Sequence, residues 1–188
     1  MKAIETPLSG CWIIQNSLVA DERGYFFESF NHQKFADATG WTGQFVQDNE
    51  SQSSANVVRG MHLQLGQHAQ AKLVRVLHGR VLDVALDLRP HSPTFGQHFA
   101  IELSDDNARQ LFVPRGFAHG FSVLSPSATF FYKCDNYYNK NSELGIHPYD
   151  SQLGINWQVS RENAILSAKD AVAQSWQQAL SIFTQQTH

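Results

Sequence analysis

Short apolar runs separated by turn residues fill the middle of the chain, from Val57 to Lys133. The breaks between the runs fall at Gly66, Gly79, Pro90, Pro93–Gly96, Asp105–Asn107, Pro114 and Ser125–Ser127. Strands with turn signals at such regular intervals indicate an all-β sandwich or barrel. The chain has 188 residues and no linker or low-complexity segment. We therefore predict one domain over residues 1–188, with a barrel at about 43–136.

Segments outside these runs are predicted to be helix or loop. The segment Asn31–Gly40 has a cap-like asparagine, helix formers and a terminal glycine, which predicts a short peripheral helix. The segment Ser167–Asp170 fits a capping box, and an amphipathic helix is expected at about 168–184. The apolar face of that helix comprises Val172, Trp176, Leu180 and Phe183. The polar stretch Glu50–Asn56 is predicted to be a loop.

Two glycines indicate where the strands turn or shift. Residues Lys72–Leu88 alternate on both sides of Gly79, which predicts a hairpin. Strict alternation would place Arg59 and His62 on opposite faces of one strand. Because a glycine inside a strand often marks a bulge, Gly60 is expected to turn both side chains toward the same interior.

Charge and composition exclude several function classes. The formal net charge is -3, so no global positive field is available to hold a nucleic acid. No uncharged apolar stretch approaches the roughly 18 residues that a membrane-spanning helix needs, and no membrane partner is expected. The two cysteines, Cys11 and Cys134, are predicted to be buried thiols rather than a disulfide, which suits a cytoplasmic protein.

A metal-binding pattern is present in altered form. The chain resembles a cupin-type jelly roll, a fold whose motifs usually supply three histidines and a glutamate to a metal. His62 and His119 match two of those histidines, but Gln64 and Lys72 stand at the other two positions. An ammonium group has no lone pair to offer and repels a divalent cation. A histidine beside a fixed cation instead suits proton abstraction next to a carbonyl, with the cation stabilising the enolate.

A closer resemblance covers nearly the whole chain. The segments that carry it occur in a fixed order and are Asp21–Gly24, Gln47–Asn49, Arg59–His62, Ser92–Gly96, Pro114–Phe121, Tyr132–Lys133, Asn136–Tyr138 and Ser167–Asp170. Together they are similar to the dTDP-4-dehydrorhamnose 3,5-epimerase family. Each motif is weak alone, but so many in one order make coincidence improbable. Leu63 and Arg115 depart from the family pattern and are expected to affect pocket width or rim charge.

The resemblance implies an activity and its catalytic residues. It implies inversion at C3 and C5 of dTDP-4-dehydro-6-deoxy-D-glucose, in dTDP-L-rhamnose biosynthesis, without metal or redox cofactor. In the family pattern His62 is the general base, Tyr132 the proton donor, and Asp170 the partner that fixes the tautomer of His62. Lys72 would steady the enolate. The resemblance also implies a homodimer in which the Arg23–Glu28 segment reaches into the partner's site.

Substrate contacts carry over in the same way. Arg23 and Arg59 resemble diphosphate clamps, since a guanidinium offers paired donors to phosphate oxygens. Lys72 also matches a substrate-contact position. The other positions that match substrate contacts are Glu28, Gln47, Asp48, Asn49, His119, Tyr138, Glu143 and Lys169.

Three alternatives remain open on the sequence. An enzyme of the same architecture that epimerises one carbon, or a ketoisomerase, would share most of these residues. A sugar-binding cupin without catalysis would bind a ligand but exchange no protons. A metal-dependent oxygenase is disfavoured by Gln64 and Lys72.

Overall fold

The computed structural model describes residues 1–185, so the last three positions of the predicted domain lie outside the described residues. Thirteen strands and three α-helices are present in this part of the chain. The strands are β1 (Lys2–Glu5), β2 (Trp12–Gln15), β3 (Val19–Asp21), β4 (Gly24–Phe26), β5 (Gln47–Ser54), β6 (Val58–Gln64), β7 (Lys72–His78), β8 (Arg80–Asp87), β9 (His98–Ser104), β10 (Arg109–Val113), β11 (Phe117–Val123), β12 (Ser127–Cys134) and β13 (Glu143–Gly145). The helices are α1 (His32–Thr39), α2 (Ala168–Ala171) and α3 (Trp176–Gln185).

Two antiparallel sheets form the body of the protein. One has the strand order β1-β2-β10-β7-β12-β5, and the other has the order β13-β6-β11-β8-β9. The edges of the two sheets are not hydrogen-bonded to each other, so the sheets face one another without closing into a continuous barrel. This arrangement confirms the predicted all-β jelly roll. Strands β1, β2 and β13 lie outside 43–136 but belong to these sheets.

Apolar side chains fill the space between the sheets and behind the second sheet. The interior cluster contains Val74, Val76, Phe121 and Phe130 from three different strands. A second cluster lies on the outer face of β6, β8 and β11, where Trp157 and part of α3 cover it. Since burial of each large apolar side chain stabilises the fold by about 2 kcal/mol, the two clusters hold the sheets in register.

The hairpin predicted at Gly79 is wrong. β7 pairs with β10 and β12, whereas β8 pairs with β9 and β11. The chain therefore crosses from one sheet to the other at Gly79, which has a φ of 80°. A hairpin and a corner between facing sheets share the same sequence pattern, in which polar and apolar residues alternate on both sides of a glycine. Only the pairing partners, which are distant in sequence, decide between them.

Two further predictions need correction. Glu50–Asn56 is not a loop, because residues up to Ser54 belong to β5 and pair in full register with β12. The C-terminal amphipathic helix is present as α3, but it starts at Trp176 rather than at about 168, because α2 and α3 are separate and Val172 is exposed. Gln174 between them forms a bridge with Ile146 of the segment after β13, and that pairing interrupts the helix. α1 forms as predicted, with Asn31 as its N-cap and Gly40 in a left-handed C-cap.

Candidate functional site

A cavity of about 520 Å³ lies between the two sheets, a volume within the range of small-molecule sites. Each sheet supplies part of its polar lining. β6 and β11 of the second sheet contribute Arg59, His62 and His119. β5, β7 and β12 of the first sheet contribute Asn49, Lys72 and Tyr132, while Lys169 and Asp170 come from α2. All four residues predicted to be catalytic therefore line one cavity.

His62 and Asp170 form a short polar contact in the cavity. Nε2 of His62 lies 2.5 Å from Oδ1 of Asp170. The backbone N–H of Asp170 donates to Oγ of Ser167 at 3.1 Å, which caps α2 and fixes the backbone that bears the carboxylate. Burial raises the pKa of Asp170, but hydrogen bonds from His62 and Ser167 outweigh it and lower the pKa below its ordinary value. The carboxylate is thus an acceptor that orients the ring of His62.

The bulge predicted at Gly60 is confirmed. Arg59 and His62 pair with Phe121 and His119 of β11, so two residues of β6 oppose a single one between these pairs. A Cβ at Gly60 would lie only 2.6 Å from Cα of Gly120, and only glycine allows that approach. The extra residue returns Arg59 and His62 to the same side of the strand.

Lys72 and Tyr132 face His62 from the opposite sheet. Nζ of Lys72 lies 5.7 Å from the ring centroid of Tyr132. Burial is the main cause that lowers the pKa of Lys72, and nearby acidic groups oppose the effect. Burial also raises the pKa of Tyr132 to about 12. At neutral pH the phenol is therefore protonated and can act as a donor.

A second histidine–carboxylate pair was missed at the sequence level. Nε2 of His119 lies 3.0 and 2.9 Å from the two carboxylate oxygens of Asp83. Asp83 is 0% exposed and His119 is 7% exposed. The available signal was an acidic residue inside the apolar strand Val81–Leu86. Without the fold, that signal does not say which group the carboxylate meets.

The rim of the cavity contains most of the other predicted substrate contacts. Gln47 donates from Nε2 to Oδ1 of Asn49 at 3.1 Å. Tyr138 donates its hydroxyl to Glu143 at 2.8 Å, and Glu143 also forms an ion pair with Lys169. These contacts join the loop after β12, the strand β13 and the helix α2 beside the cavity mouth.

Arg59 occupies an exposed position beside this mouth. Its Nε donates to Oγ of Ser53 at 3.1 Å, and one terminal nitrogen donates to the carbonyl of Gln52. The guanidinium is anchored on β5 and has further donors to offer an anion.

Three predicted residues are not brought to this cavity. Asp48 points to the other face of β5 and forms an ion pair with Lys133 at 3.0 Å. Arg23 lies on the β3–β4 hairpin, 85% exposed at its side chain, and pairs with Asp21. Glu28 pairs with Lys34 of α1. Arg23 and Glu28 therefore lie on the outside of this chain, away from its cavity.

The two departures from the family pattern lie away from the cavity lining. Leu63 is buried in the apolar cluster behind the second sheet. It therefore does not set the pocket width, which corrects that expectation. Arg115 pairs with Asp135 at 2.8 Å and ties the loop before β11 to the end of β12.

Within residues 1–185, no group of three or more His, Cys, Asp or Glu side chains is arranged to hold a metal ion. Nor does any helix in the described range have the length and hydropathy to cross a membrane.

Comparison with known proteins assigns the family. The model of the family described as dTDP-4-dehydrorhamnose 3,5-epimerase matches residues 5–178. The chain belongs to this family. A relative from Salmonella typhimurium with the same name is 49% identical over 180 residues, which cover 96% of this chain and 98% of that protein.

Solved structures of the family share the fold. The Elizabethkingia anophelis dTDP-4-dehydrorhamnose 3,5-epimerase is 54% identical, with a TM-score of 0.91 and coverage of 95% of this chain and 97% of that one. A Legionella pneumophila dTDP-6-deoxy-D-glucose-3,5-epimerase, solved in complex with dTDP-4-keto-L-rhamnose, is 48% identical. Its TM-score is 0.88, with coverage of 93% of this chain and 92% of that one.

Proposed function

We propose that this epimerase-family protein inverts C3 and C5 of dTDP-4-dehydro-6-deoxy-D-glucose, in dTDP-L-rhamnose biosynthesis. The observation that carries the proposal is the arrangement of His62, bonded to Asp170, opposite Lys72 and Tyr132 across one cavity. Both inverted carbons flank the C4 ketone, so one base and one cation serve both. The relative solved with dTDP-4-keto-L-rhamnose supports the same substrate class.

Each residue has a role in a balanced proton transfer. His62 takes the proton from the carbon next to the ketone, and the bonding electrons move onto the C4 oxygen as an enolate. Lys72 stabilises that oxygen as negative charge develops. Tyr132 then protonates the carbon from the opposite face, and the ketone re-forms. The phenolate regains its proton from solvent and His62 releases its own, so no metal or redox cofactor is required.

Binding is assigned to groups around the base. Arg59 binds the diphosphate, because a guanidinium matches phosphate oxygens. His119 and Tyr138 lie near the sugar. The remaining predicted nucleotide contacts are Gln47, Asp48, Asn49, Glu143 and Lys169. Asp48 faces away from the cavity of this protomer, so its assignment as a nucleotide contact has the least structural support in this set.

We also infer a cytoplasmic homodimer. Arg23 and Glu28 lie outside this protomer's cavity but match substrate-contact positions, which is consistent with their completing a partner's site. Cys11 and Cys134 are free and buried, which suits a reducing compartment.

Deuterium exchange tests the number of carbons inverted. In heavy water, the wild-type protein is expected to place label at both C3 and C5 of the nucleotide sugar, detected by NMR. Label at one carbon would identify a single-carbon epimerase or a ketoisomerase instead. Binding without any exchange would identify a sugar-binding cupin.

The assigned base is tested by His62→Ala. Turnover should fall by at least about 100-fold, because general base catalysis is lost, while dTDP binding measured by calorimetry stays within about threefold of wild type. Equal losses of binding and turnover would count against the assignment, since the diphosphate clamp is separate from the base.

A further inference from the structure

Asp83 is a buried carboxylate that the proposed reaction does not use. It lies in the middle of β8 and its side chain points between the sheets, where both oxygens contact Nε2 of His119. No lysine or arginine forms an ion pair with it among residues 1–185. A buried carboxylate without a compensating charge costs several kcal/mol. His119 compensates this charge only when it is protonated, so a second cation in the interior would stabilise Asp83 whenever His119 is neutral.

Lys72 presents the opposite case. Its ammonium group has no carboxylate within ion-pair distance in the described part of the chain, and its nearest ring contact is Tyr132. Asp83, Glu143 and Cys134 lie within electrostatic reach and favour the charged lysine. Burial raises the pKa of Cys134 to about 11, so this thiol is neutral at physiological pH. Glu143 is paired with Lys169.

Of these three groups, Asp83 is thus the carboxylate that no lysine or arginine neutralises in the described part of the chain. We propose that Asp83 is a positioning residue for the epimerisation: held in place by His119, it supplies the buried negative charge that keeps the Lys72 ammonium in the cavity. The inference rests on the proposed function for its catalytic consequence. The charge balance itself does not depend on which sugar is bound.

Lys72 stabilises the enolate only while it is protonated. The charged and titratable groups that line the cavity with it are Glu50 on β5, Arg59 and His62 on β6, His119 on β11, Tyr132 on β12, and Lys169 and Asp170 on α2. Asp83 on β8, Glu143 on β13 and Cys134, the cross-strand neighbour of Lys72 on β12, are also within electrostatic reach. Removing the charge of Asp83 leaves Lys72 with less compensation. The pKa of Lys72 should then fall further. The alkaline pH at which activity is lost should therefore be lower than in the wild-type protein.

The first test is the pH profile of Asp83→Asn. The amide keeps the shape and still accepts the N–H of His119. We expect the alkaline limb of kcat to move down by about one pH unit, with dTDP binding near wild type. Asp87→Asn is the matched control, because Asp87 is another buried carboxylate of β8 but bonds Arg89, Ser92 and Thr94 outside the cavity.

A purely structural role for Asp83 predicts a different result. Asp83→Asn and Asp87→Asn would both lower the melting temperature, and neither would move the alkaline limb. That outcome overturns the proposal. If Asp83→Asn does not fold, His119→Asn provides the test, since it retains the carboxylate. The new amide can still donate to Asp83, so the alkaline limb should stay within about 0.3 pH units of wild type. A downward shift of about one unit, with the carboxylate still present, would show that the charge of Asp83 does not set the protonation of Lys72 and would overturn the proposal.

A measurement without substrate separates this inference from the proposed function. In protein labelled with ¹³C-lysine, the Cε resonance of Lys72, assigned with Lys72→Met, reports protonation directly. It should titrate at a lower pH in Asp83→Asn than in wild type. Unchanged titration refutes the charge balance even if the protein is an active epimerase. Shifted titration without deuterium exchange in wild type refutes the proposed function and leaves the charge balance supported.

Discussion

At the scale of single residues, two histidines of the same cavity have different environments and therefore different proposed roles. His62 and His119 are cross-strand partners in β6 and β11 and line the same cavity. His62 is backed by Asp170 at the end of a capped helix, whereas His119 is backed by a carboxylate fully enclosed in the interior. Sequence motifs identified both histidines, but they identified only one of the two carboxylates.

Tyr132→Phe should reduce epimerisation more than proton abstraction. The ring remains in place, but the proton donor is lost, so the enolate is formed and returns by the same face. We expect kcat for inversion to fall by about 100-fold or more, while the exchange at C3 and C5 falls less. The ratio of deuterium exchange to product formation measures this. Equal losses in both rates would contradict the role of donor.

At the scale of elements, the structure differs from the sequence-based prediction at β5 and at the corner formed by Gly79. All residues of β5 are polar, yet its backbone is fully paired with β12. One face of a sheet edge beside a polar cavity needs no apolar side chains, so the usual alternation is absent. At Gly79 the local pattern is correct for strands but contains no information about which sheet each strand joins.

Gly79→Ala should destabilise the fold by more than about 2 kcal/mol. An alanine at this position is strained by the left-handed backbone conformation. Its Cβ would also overlap the carbonyl oxygen of Ser127, so a steric clash adds to the backbone strain. Gly66→Ala is the matched control, because Gly66 also has positive φ but nothing lies within 4 Å of its Cβ. The control should lose only about 1 kcal/mol in urea unfolding. Similar losses in both variants would exclude the steric explanation.

At the scale of the whole molecule, the β3–β4 hairpin is separate from the two large sheets. It is paired only with itself, and its Tyr25 and Phe26 are 60% and 74% exposed. An isolated two-stranded hairpin is marginally stable in water. Contact with a second copy of the chain would bury these rings, in agreement with the proposed dimer.

Phe26→Ser should weaken that dimer. Aromatic anchors at interfaces contribute about 2 kcal/mol or more, so the dissociation constant should rise at least about 30-fold, as measured by analytical ultracentrifugation. Val172→Ser is the control, since Val172 is an equally exposed apolar residue in another segment. A monomeric wild-type protein, or an unchanged dissociation constant for Phe26→Ser, would contradict the proposed role of the hairpin.

The sequence by itself determined the all-β class, the bulge at Gly60 and the capped helix α1, and the resemblance of its ordered motifs to the epimerase family indicated His62, Lys72, Tyr132 and Asp170, which line one cavity. The first three features depend on local chemistry, namely turn residues, a glycine inside a strand and helix caps, whereas the catalytic set was indicated by the order of family motifs along the chain. The tertiary structure alone decided which sheet receives each strand, where the C-terminal helix breaks, and that Asp83 meets His119. Those outcomes depend on pairing between residues far apart in the chain, and no local pattern specifies which distant backbone or side chain will be the partner.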